Sequence, residues 1–525
     1  MTSQTGPLAW LVLALGALAG GLGGVRWVRV AQREHYLPGS VLRFAGRWWR
    51  CSPSNGLLGV LGLAGLAGAQ PLPPLGLVAV LAGGVGPVGL SLRGRSAPLA
   101  WTRRARTLAG LSGALGALGL ALAGLFGAPA LGGAAVALGS PVLVELGLRL
   151  TAPVERRLLQ RHVDRAASRL RRVRPQVVAI TGSYGKTTTK GYVAHLVAGA
   201  RSVVASPASF NNRAGLARAI NEQLAPGTEV FVAEMGTYGP GEIASLCSWV
   251  PPDVAMITAI GPVHLERMGS EERILAAKSE ILVRAPQVVL AVDDPRLAAV
   301  AARCAEEGKT VWWASGGGSG ASLGDPERRV LARRTSEGLE VLVGGERLAA
   351  GLTLNAQPSN VACAVAAALA LGVPAGVVAE RLPGLPVATH RLAPATGPEG
   401  LVIVDDTYNS NPAGAKAALE VLAAQGGPGS RRAVVSPGMV EMGPRQAPEN
   451  RAFAKVAAEI ADAVVVVGRT NRRALVAGVR DALEAGRRCE LVVVADRSAA
   501  VAWVRQHLGP GDVVLYENDL PDHYP

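Results

Sequence analysis

A strand, a glycine-containing turn and a helix follow one another over residues 177–189, and this order constrains the fold more than any other stretch. The run Val-Val-Ala-Ile is typical of a buried strand, and Lys-Thr-Thr begins the predicted helix. In such loops the backbone N–H groups bind phosphates, the lysine reaches the terminal ones and a hydroxyl can bind Mg²⁺. The pattern predicts a nucleotide-binding α/β domain, with ATP as the nucleotide. The candidate ligands are Gly182, Ser183, Gly185, Lys186, Thr187 and Thr188.

The loop is a variant of the general pattern. Only two residues separate Gly182 from Gly185, where the general phosphate-binding loop has four between its first glycine and its Gly-Lys pair. A glycine-rich turn without a ligand is the alternative interpretation, and the strand before the turn argues against it.

Residues 1–150 are dominated by Leu, Ala, Gly and Val, with charges in short clusters. Long uncharged runs of this kind are typical of membrane-spanning helices. A cleaved signal peptide does not fit, because no basic segment precedes the first run and more apolar runs follow it. We expect about five helices, with the second and third as an alternative hairpin. The runs are 8–25, 56–70, 74–92, 107–128 and 130–144.

Arginines cluster beside these runs, in segments 26–50, 93–106 and 149–172. With five spans all three segments fall on one side, which predicts a multi-pass protein of the inner (cytoplasmic) membrane with its N-terminus outside and its remaining domains in the cytoplasm. Most of the net charge of +14 then comes from arginines that flank the membrane spans. It does not indicate nucleic-acid binding, since no base-stacking aromatic pattern accompanies these arginines. The five cysteines form no Cys-x-x-Cys pair, which excludes a zinc ribbon.

Polar residues follow several predicted strands in the second part of the chain. Glu234, His264 and Asp294 each come after an apolar run of strand length. Strands alternating with helices predict a parallel sheet, and ligands bind at the carboxyl ends of the strands in such sheets. These residues, behind a phosphate loop, therefore predict a metal–nucleotide site.

Further motifs resemble those of the Mur ligases, which are ATP-dependent amide ligases of peptidoglycan precursor synthesis. The phosphate loop Thr-Gly-Ser-Tyr-Gly-Lys-Thr-Thr-Thr-Lys is the first of them, and the resemblance covers about 175–525. The stretches Tyr-Asn-Ser-Asn-Pro and Met-Val-Glu-Met-Gly resemble the D-alanyl-D-alanine-adding (MurF) type. The other motifs lie at 209–212, 234–236, 264–270, 278–281 and 405–412.

The resemblance implies an α/β fold with two catalytic domains behind the membrane domain at 1–150. These are a central ATP-binding domain with a parallel sheet at 151–385 and a Rossmann-like C-terminal domain at 386–525. It also implies that ATP converts a carboxylate into an acyl phosphate, which an amine then attacks. The protein mainly positions groups and stabilises charge in such a reaction.

Residue roles follow from the same resemblance. It implies that Thr187 and Glu234 bind one Mg²⁺, that His264 helps to bind a second, and that Lys278 is carbamylated and binds metal. Without the resemblance, Lys278 reads as a surface lysine and His264 as a loop histidine. The implied catalytic set is Lys186, His264, Lys278 and Arg391; Asn360, Arg391 and Asp406 bind the nucleotide; Asn211, Asn212, Tyr408, Asn409 and Asn411 bind substrate.

Several segments depart from the family pattern. Asn360 of a His-Asn-x-x-Asn segment is kept, but Ser359 and Cys363 replace its first and last members. The Gly-Asp before Met-x-Glu-x-Gly is Pro-Gly here, and residues 517–519 replace a Lys-Gly-Ser segment. The family's soluble N-terminal domain, which holds the UDP-sugar, is replaced by the apolar runs.

The sequence therefore predicts a MurF-like ligase that joins D-alanyl-D-alanine or another amine to a peptidoglycan or other envelope precursor. The acceptor is either UDP-linked or lipid-linked, and a membrane enzyme favours the second. A polyglutamate-type ligase and a non-catalytic membrane scaffold are the alternatives. The Tyr-Asn-Ser-Asn-Pro loop argues against the first, and the set of phosphate- and metal-binding residues argues against the second.

Overall fold

The computed structural model describes residues 6–92, 98–263, 265–353, 356–386, 393–397, 400–407, 410–427, 429–520 and 524. These residues form two compact units. The first comprises the described residues of Met1–Leu158 and Leu520–Pro525, and the second comprises those of Leu159–Asp519. The predicted three-domain boundaries stay a prediction, although the second unit contains two separate sheets.

The first unit is helical. Proline stands in the first turn of four of its helices, where no intrahelical N–H bond is lost. Ser52 and Thr102 cap two of them, each accepting a hydrogen bond from a backbone N–H three residues on. The helices are α1 (Pro7–Arg33), α2 (Ser40–Arg50), α3 (Pro53–Gly68), α4 (Pro73–Val85), α5 (Arg103–Leu125), α6 (Pro129–Leu138) and α7 (Ser140–Val173), whose last residues belong to the second unit.

Among the described residues, two helices are long and apolar enough to cross a membrane, namely α1 and α5. The pair α6 and α7 passes the same test only together, with a bend of 71° between its members. Helices α3 and α4 contain 16 and 13 residues, fewer than the roughly 20 that span a bilayer core. The count is thus two, or three with the bent pair, and is lower than the five predicted. Prolines and a glycine break the apolar runs into shorter helices.

Glycines allow the helices of this unit to pack closely. A Cβ atom on Gly16 of α1 would lie 2.2 Å from the carbonyl oxygen of Gly133 in α6. One on Gly83 of α4 would lie 2.5 Å from the carbonyl oxygen of Ala137 in α6. Small residues at such crossings allow helix backbones to approach closely and to pack by van der Waals contact.

The Gly16 contact predicts a position-specific effect on stability. We expect Gly16→Ala to destabilise the detergent-solubilised protein by about 1–3 kcal/mol, because backbone atoms of Gly133 cannot move aside. Gly21→Ala is the matched control on the same helix, since a Cβ there meets nothing within 4 Å. Thermal melting followed by size-exclusion chromatography measures both variants. Equal melting temperatures would contradict the packing argument.

The second unit begins with a nine-stranded sheet in the order β2-β3-β1-β4-β5-β6-β7-β8-β9. Its first seven strands are parallel, which confirms the predicted parallel sheet. The antiparallel pairs β7–β8 and β8–β9 were not predicted. The strands are β1 (Gln176–Thr181), β2 (Val203–Ala205), β3 (Val230–Glu234), β4 (Val254–Ile257), β5 (Gln287–Ala291), β6 (Thr310–Ser315), β7 (Arg329–Thr335), β8 (Gly338–Val343) and β9 (Glu346–Leu352).

Helices connect and cover these strands. The most deeply buried is α14, whose residues Val361–Ala368 are all buried, and it packs on α8 and on strands β4 to β7. Because α14 packs on α8, the first turn of α14 lies near the phosphate loop that precedes α8. The helices are α8 (Lys186–Val197), α9 (Arg213–Gln223), α10 (Glu242–Cys247), α11 (Leu265–Met268), α12 (Glu271–Ser279), α13 (Pro295–Glu306), α14 (Pro358–Ala370) and α15 (Ala375–Arg381).

A six-stranded sheet follows in the order β10-β11-β15-β12-β13-β14. Only the edge strand β10 is antiparallel, so the remainder is the predicted Rossmann-like arrangement. Its elements are β10 (Ala393–Thr396), β11 (Val402–Asp406), α16 (Pro412–Ala424), β12 (Arg432–Ser436), α17 (Gln446–Ile460), β13 (Ala463–Val467), α18 (Arg472–Glu484), β14 (Glu490–Val494), α19 (Arg497–His507) and β15 (Val513–Glu517).

Candidate active site

The turn between β1 and α8 has the backbone of a phosphate loop. Gly182 has φ +152° and Gly185 has φ +79°, and L side chains rarely adopt either conformation. A Cβ on Gly182 would also lie 2.1 Å from the Oγ1 atom of Thr258. Both glycines are therefore required by conformation, and the second places the N–H groups at the start of α8 toward the loop.

The segment that follows β4 is hydrogen-bonded to this loop. The backbone N–H of Ser183 donates to the carbonyl of Ala259 (2.8 Å), and the N–H of Gly261 donates to Ser183 Oγ (3.0 Å). The ring of Tyr184 packs on Gly261, and burial, together with the carboxylate charges of Glu271 and Glu449, raises the pKa of its phenol. The loop is thus held rigidly against the neighbouring strand.

A buried carboxylate stands beside the first turn of α8. Glu234 ends β3 and is 1% exposed. Its Oε2 atom accepts hydrogen bonds from Thr187 Oγ1 (2.9 Å) and Lys190 Nζ (3.0 Å), and its Oε1 atom accepts one from Asn211 Nδ2 (3.0 Å). The structure thus brings together the predicted site residues Thr187, Asn211 and Glu234, and Lys190 also contacts Glu234. Sequence reasoning missed this lysine, although it lies four residues after Lys186 and three after Thr187 on the same helix.

The oxygen atoms of Thr187 and Glu234 fit a magnesium ion delivered with a nucleotide. Mg²⁺ is usually held by one or two carboxylates, substrate phosphates and water rather than by a complete protein cage. Thr187 and Glu234 supply a hydroxyl and a carboxylate at the phosphate loop. Within the described parts of the chain no group of three His, Cys, Asp or Glu residues could hold a metal by itself.

Lys278 points at the same loop from α12. Its Nζ atom donates to the carbonyl of Gly182 (3.0 Å), which also accepts from Lys186 Nζ (2.7 Å). The residue is 3% exposed, so the surface-lysine interpretation is wrong. Burial, followed by the charge of Lys186, lowers the pKa of Lys278 well below its usual value. The site therefore favours a neutral amine at this position.

Asn360 lies where α14 meets the phosphate loop. A Cβ on Gly185 would be 2.3 Å from the Asn360 Oδ1 atom, so the amide lies directly against the loop.

The strand-end acid Asp294 has a different role from the one predicted. It caps α13 through the N–H of Arg296 (2.9 Å) and forms an ion pair with the Arg296 guanidinium (2.7 Å). Asp294 is thus engaged in local structure rather than in the Glu234 cluster.

Two of the predicted substrate residues cap helices. Asn212 Oδ1 accepts from Gly215 N–H (2.9 Å) at the start of α9, and Asn411 Oδ1 accepts from Gly414 N–H (2.9 Å) at the start of α16. Both are N-cap arrangements, for which asparagine is a preferred residue. The predicted residues His264, Arg391, Tyr408 and Asn409 lie outside the described residues.

Asp406 ends β11, directly beside the end of β15. Strand register pairs it with Glu517, and the Ser410 hydroxyl donates to the Glu517 carboxylate. Burial, and next the charge of Asp406, raises the pKa of Glu517 well above its usual value. Glu517 belongs to the segment 517–519, which departs from the family pattern. The carboxyl groups of Glu517 and Asp406 therefore lie together at the end of the C-terminal sheet.

The Met-Val-Glu-Met-Gly segment contacts the region around α11 and α12. Glu266 N–H donates to the carbonyl of Glu441 (3.3 Å). The Glu271 carboxylate accepts from Arg296 Nη1 (2.5 Å) and also from Arg445. These contacts connect the two sheets of the second unit on the side where Tyr184 lies.

A phosphate loop on a parallel sheet, a Thr–Glu pair suited to magnesium and a second Rossmann-like sheet define a nucleotide-dependent α/β enzyme. Residues 180–370 match the Mur ligase middle domain, and residues 390–516 match the Mur ligase, glutamate ligase domain. The chain belongs to the Mur ligase family, whose members are ATP-dependent, amide-bond-forming ligases.

Similar proteins narrow the type. The UDP-N-acetylmuramoyl-tripeptide–D-alanyl-D-alanine ligase of Mycobacterium leprae is 33% identical over an alignment of 368 residues, which covers 65% of this chain and 70% of that protein. The Mycobacterium tuberculosis H37Rv enzyme of that name is also 33% identical, with 69% of its length covered. The Thermotoga maritima MurF structure in complex with ADP is 25% identical, with a TM-score of 0.57 and coverage of 69% of this chain and 80% of that one. The chain is therefore a MurF-like ligase of peptidoglycan precursor synthesis.

Proposed function

We propose that this ligase works at the inner membrane and joins an amine such as D-alanyl-D-alanine to the peptide of a lipid-linked envelope precursor. One observation carries the proposal: the matches to Mur ligase domains begin at residue 180, and apolar helices precede them. In the family pattern a UDP-sugar-binding domain precedes these two domains, and here the apolar helices stand at that position. An enzyme anchored beside the bilayer meets a lipid-linked acceptor at the surface on which that acceptor diffuses.

The proposed orientation requires an odd number of spans and holds for both three and five. Crossings by α1, α5 and the α6–α7 pair are three, and crossings by α3 and α4 would raise the number to five. Both numbers are odd, so an N-terminus outside leaves the ligase inside in either case. The arginine-rich segments then face the cytoplasm, as the positive-inside rule requires, and ATP is available to the catalytic unit.

The proposed chemistry uses the residues of the phosphate loop and its neighbours. Lys186 binds the β- and γ-phosphates, and backbone N–H groups of the loop orient them. Thr187 and Glu234 would hold Mg²⁺, which would supply positive charge to neutralise the phosphates. Asn360 and Asp406 complete the nucleotide side, and Asn211, which donates to Glu234, keeps the substrate-binding role that the family resemblance implies. His264, Arg391, Tyr408, Asn409, Asn212 and Asn411 keep the roles that the family resemblance implies.

The proposal includes carbamylation of Lys278. Carbon dioxide reacts with a neutral amine, and burial beside Lys186 holds this amine in its neutral form. A C–N bond forms, one proton leaves the nitrogen for solvent, and the product is a carbamate with a negative charge and two oxygen atoms. Such a group beside Gly182 and Lys186 would satisfy the local positive charge and could bind a second magnesium ion.

ADP release by the purified, detergent-solubilised protein tests the proposed acceptor. The assay supplies D-alanyl-D-alanine with either a UDP-linked or a lipid-linked muramoyl tripeptide. We expect turnover with the lipid-linked acceptor at least about tenfold faster, because binding energy from the lipid replaces that of the UDP-sugar. A Lys186→Met preparation is the control for contaminating ATPase activity. Equal or faster turnover with the UDP-linked acceptor would contradict the lipid-linked version.

A further inference from the structure

Lys190 is a buried cation inside the proposed metal site, and neither the family resemblance nor the proposed chemistry assigns it a role. It lies on α8, one turn after Lys186, and is 5% exposed. Its Nζ atom is 3.0 Å from Glu234 Oε2, the oxygen that also accepts from Thr187. The ammonium therefore contacts the carboxylate at the place where a metal ion would bind.

The ammonium balances a charge that would otherwise be isolated. Glu234 is 1% exposed, and a buried carboxylate without a counter-charge is strongly unfavourable. Asn211 and Thr187 donate hydrogen bonds to this carboxylate but carry no charge. Among the described residues, Lys190 is the one cation in ion-pair contact with Glu234. Lys190 thus supplies the positive charge that a magnesium ion bound to Glu234 would supply.

The same ammonium also fixes the segment that carries Asn211. Lys190 Nζ donates to the carbonyl of Ala208 (2.5 Å), whose φ of +39° is unusual for an L residue. Asn211 follows three residues later and donates to the other oxygen of Glu234. One cation therefore holds both the carboxylate and the neighbouring segment in the observed arrangement.

We propose that Lys190 makes metal binding depend on the nucleotide, because its ammonium neutralises Glu234 until Mg²⁺ arrives with the negatively charged phosphates. Without the nucleotide, a divalent ion at Glu234 is repelled by a cation already in contact with the same oxygen. With the nucleotide, the phosphates supply the negative charge that lets both cations remain. This inference rests on the proposed role of Glu234 as a metal ligand.

Binding of Mn²⁺, a paramagnetic substitute for Mg²⁺, tests the proposal without any acceptor. Electron paramagnetic resonance measures free Mn²⁺ in titrations of the full-length, detergent-solubilised protein, with and without ADP. For the wild type we expect ADP to tighten Mn²⁺ binding by at least about a hundredfold. For Lys190→Met we expect nucleotide-free Mn²⁺ binding to be about tenfold tighter than in the wild type, because the carboxylate has lost its counter-charge.

Two further variants complete the design. Lys190→Arg keeps the charge and should keep the nucleotide dependence, whereas Lys416→Met removes an exposed lysine and should change nothing. Nucleotide-free Mn²⁺ binding by Lys190→Met that is no tighter than in the wild type would overturn the proposal. Wild-type binding that is equally tight with and without ADP would overturn it too, even if Lys190→Met does not fold.

Glu234→Gln separates this inference from the proposed function. If Glu234 is a metal ligand, this variant loses the ADP-dependent Mn²⁺ binding. If it binds Mn²⁺ as the wild type does, the proposed metal site itself is wrong. A loss in Glu234→Gln combined with an unchanged Lys190→Met contradicts only the role given to Lys190.

Discussion

Replacing Lys186 by Met is expected to lower ADP formation by about a hundred- to a thousandfold, the cost typical of removing one preorganised group that stabilises a developing charge. The Lys186 ammonium lies 2.7 Å from the Gly182 carbonyl, in the turn that leads into α8. Methionine has a similar shape and lacks the charge, so the loop should keep its conformation. Initial rates of ADP release at saturating ATP measure the effect.

The Lys186 result needs a charge-preserving comparison and a folding control. Lys186→Arg keeps the charge but not the compact ammonium, so it should recover only part of the rate. Lys416→Met, at an exposed position, should keep the wild-type rate and melting temperature. A Lys186→Met enzyme that retains more than about a tenth of the wild-type rate would show that another group binds the terminal phosphates.

Lys278→Met is expected to lower turnover by about a hundredfold, in the range seen when a group that organises a metal site is removed. Thermal stability should not fall with it. The lysine is buried and its pKa is well below the usual value, so an apolar side chain of similar length removes a desolvation cost at the expense of one hydrogen bond to Gly182. Activity and melting temperature would therefore move independently.

Dependence on carbon dioxide provides the specific measurement for Lys278. Wild-type turnover should decrease after bicarbonate is removed and recover when it is added back, whereas Lys278→Met should respond to neither treatment. Lys278→Glu, which places a carboxylate on the same helix, should be more active than Lys278→Met. Wild-type turnover that is indifferent to bicarbonate would contradict carbamylation, while an active Lys278→Met would contradict any role in catalysis.

The phosphate loop shows why part of this site is predictable. Its glycines, its lysine and its threonines are adjacent in the chain, and the conformations that Gly182 and Gly185 adopt are those that favour glycine. Buried strands before polar residues likewise indicated the parallel sheet, since strands covered on both faces are apolar throughout. Asn212 and Asn411 could have been recognised as helix caps from the residues that follow them, because capping is equally local.

Other features depend on contacts between distant parts of the chain. Lys190 meets Glu234 across 44 positions, and Lys278 meets Gly182 across 96, so no local pattern reveals either contact. The strands β7 to β9 pair through short turns and were missed because the rest of the sheet uses helical crossovers. The ends of the apolar helices were not predicted either, since an apolar run shows composition and not where a helix ends.

The sequence by itself determined the order of the elements, the apolar character of the first part, the phosphate loop and the family. Each of these features depends on residues that are close together in the chain, because their interactions and backbone preferences act over a few ångströms. Only the tertiary structure decided which polar groups share a buried site. Burial and charge pairing depend on the packing of the whole sheet. That packing buries Lys278, for which the local sequence alone indicates a surface position, and it brings Lys190 into contact with Glu234.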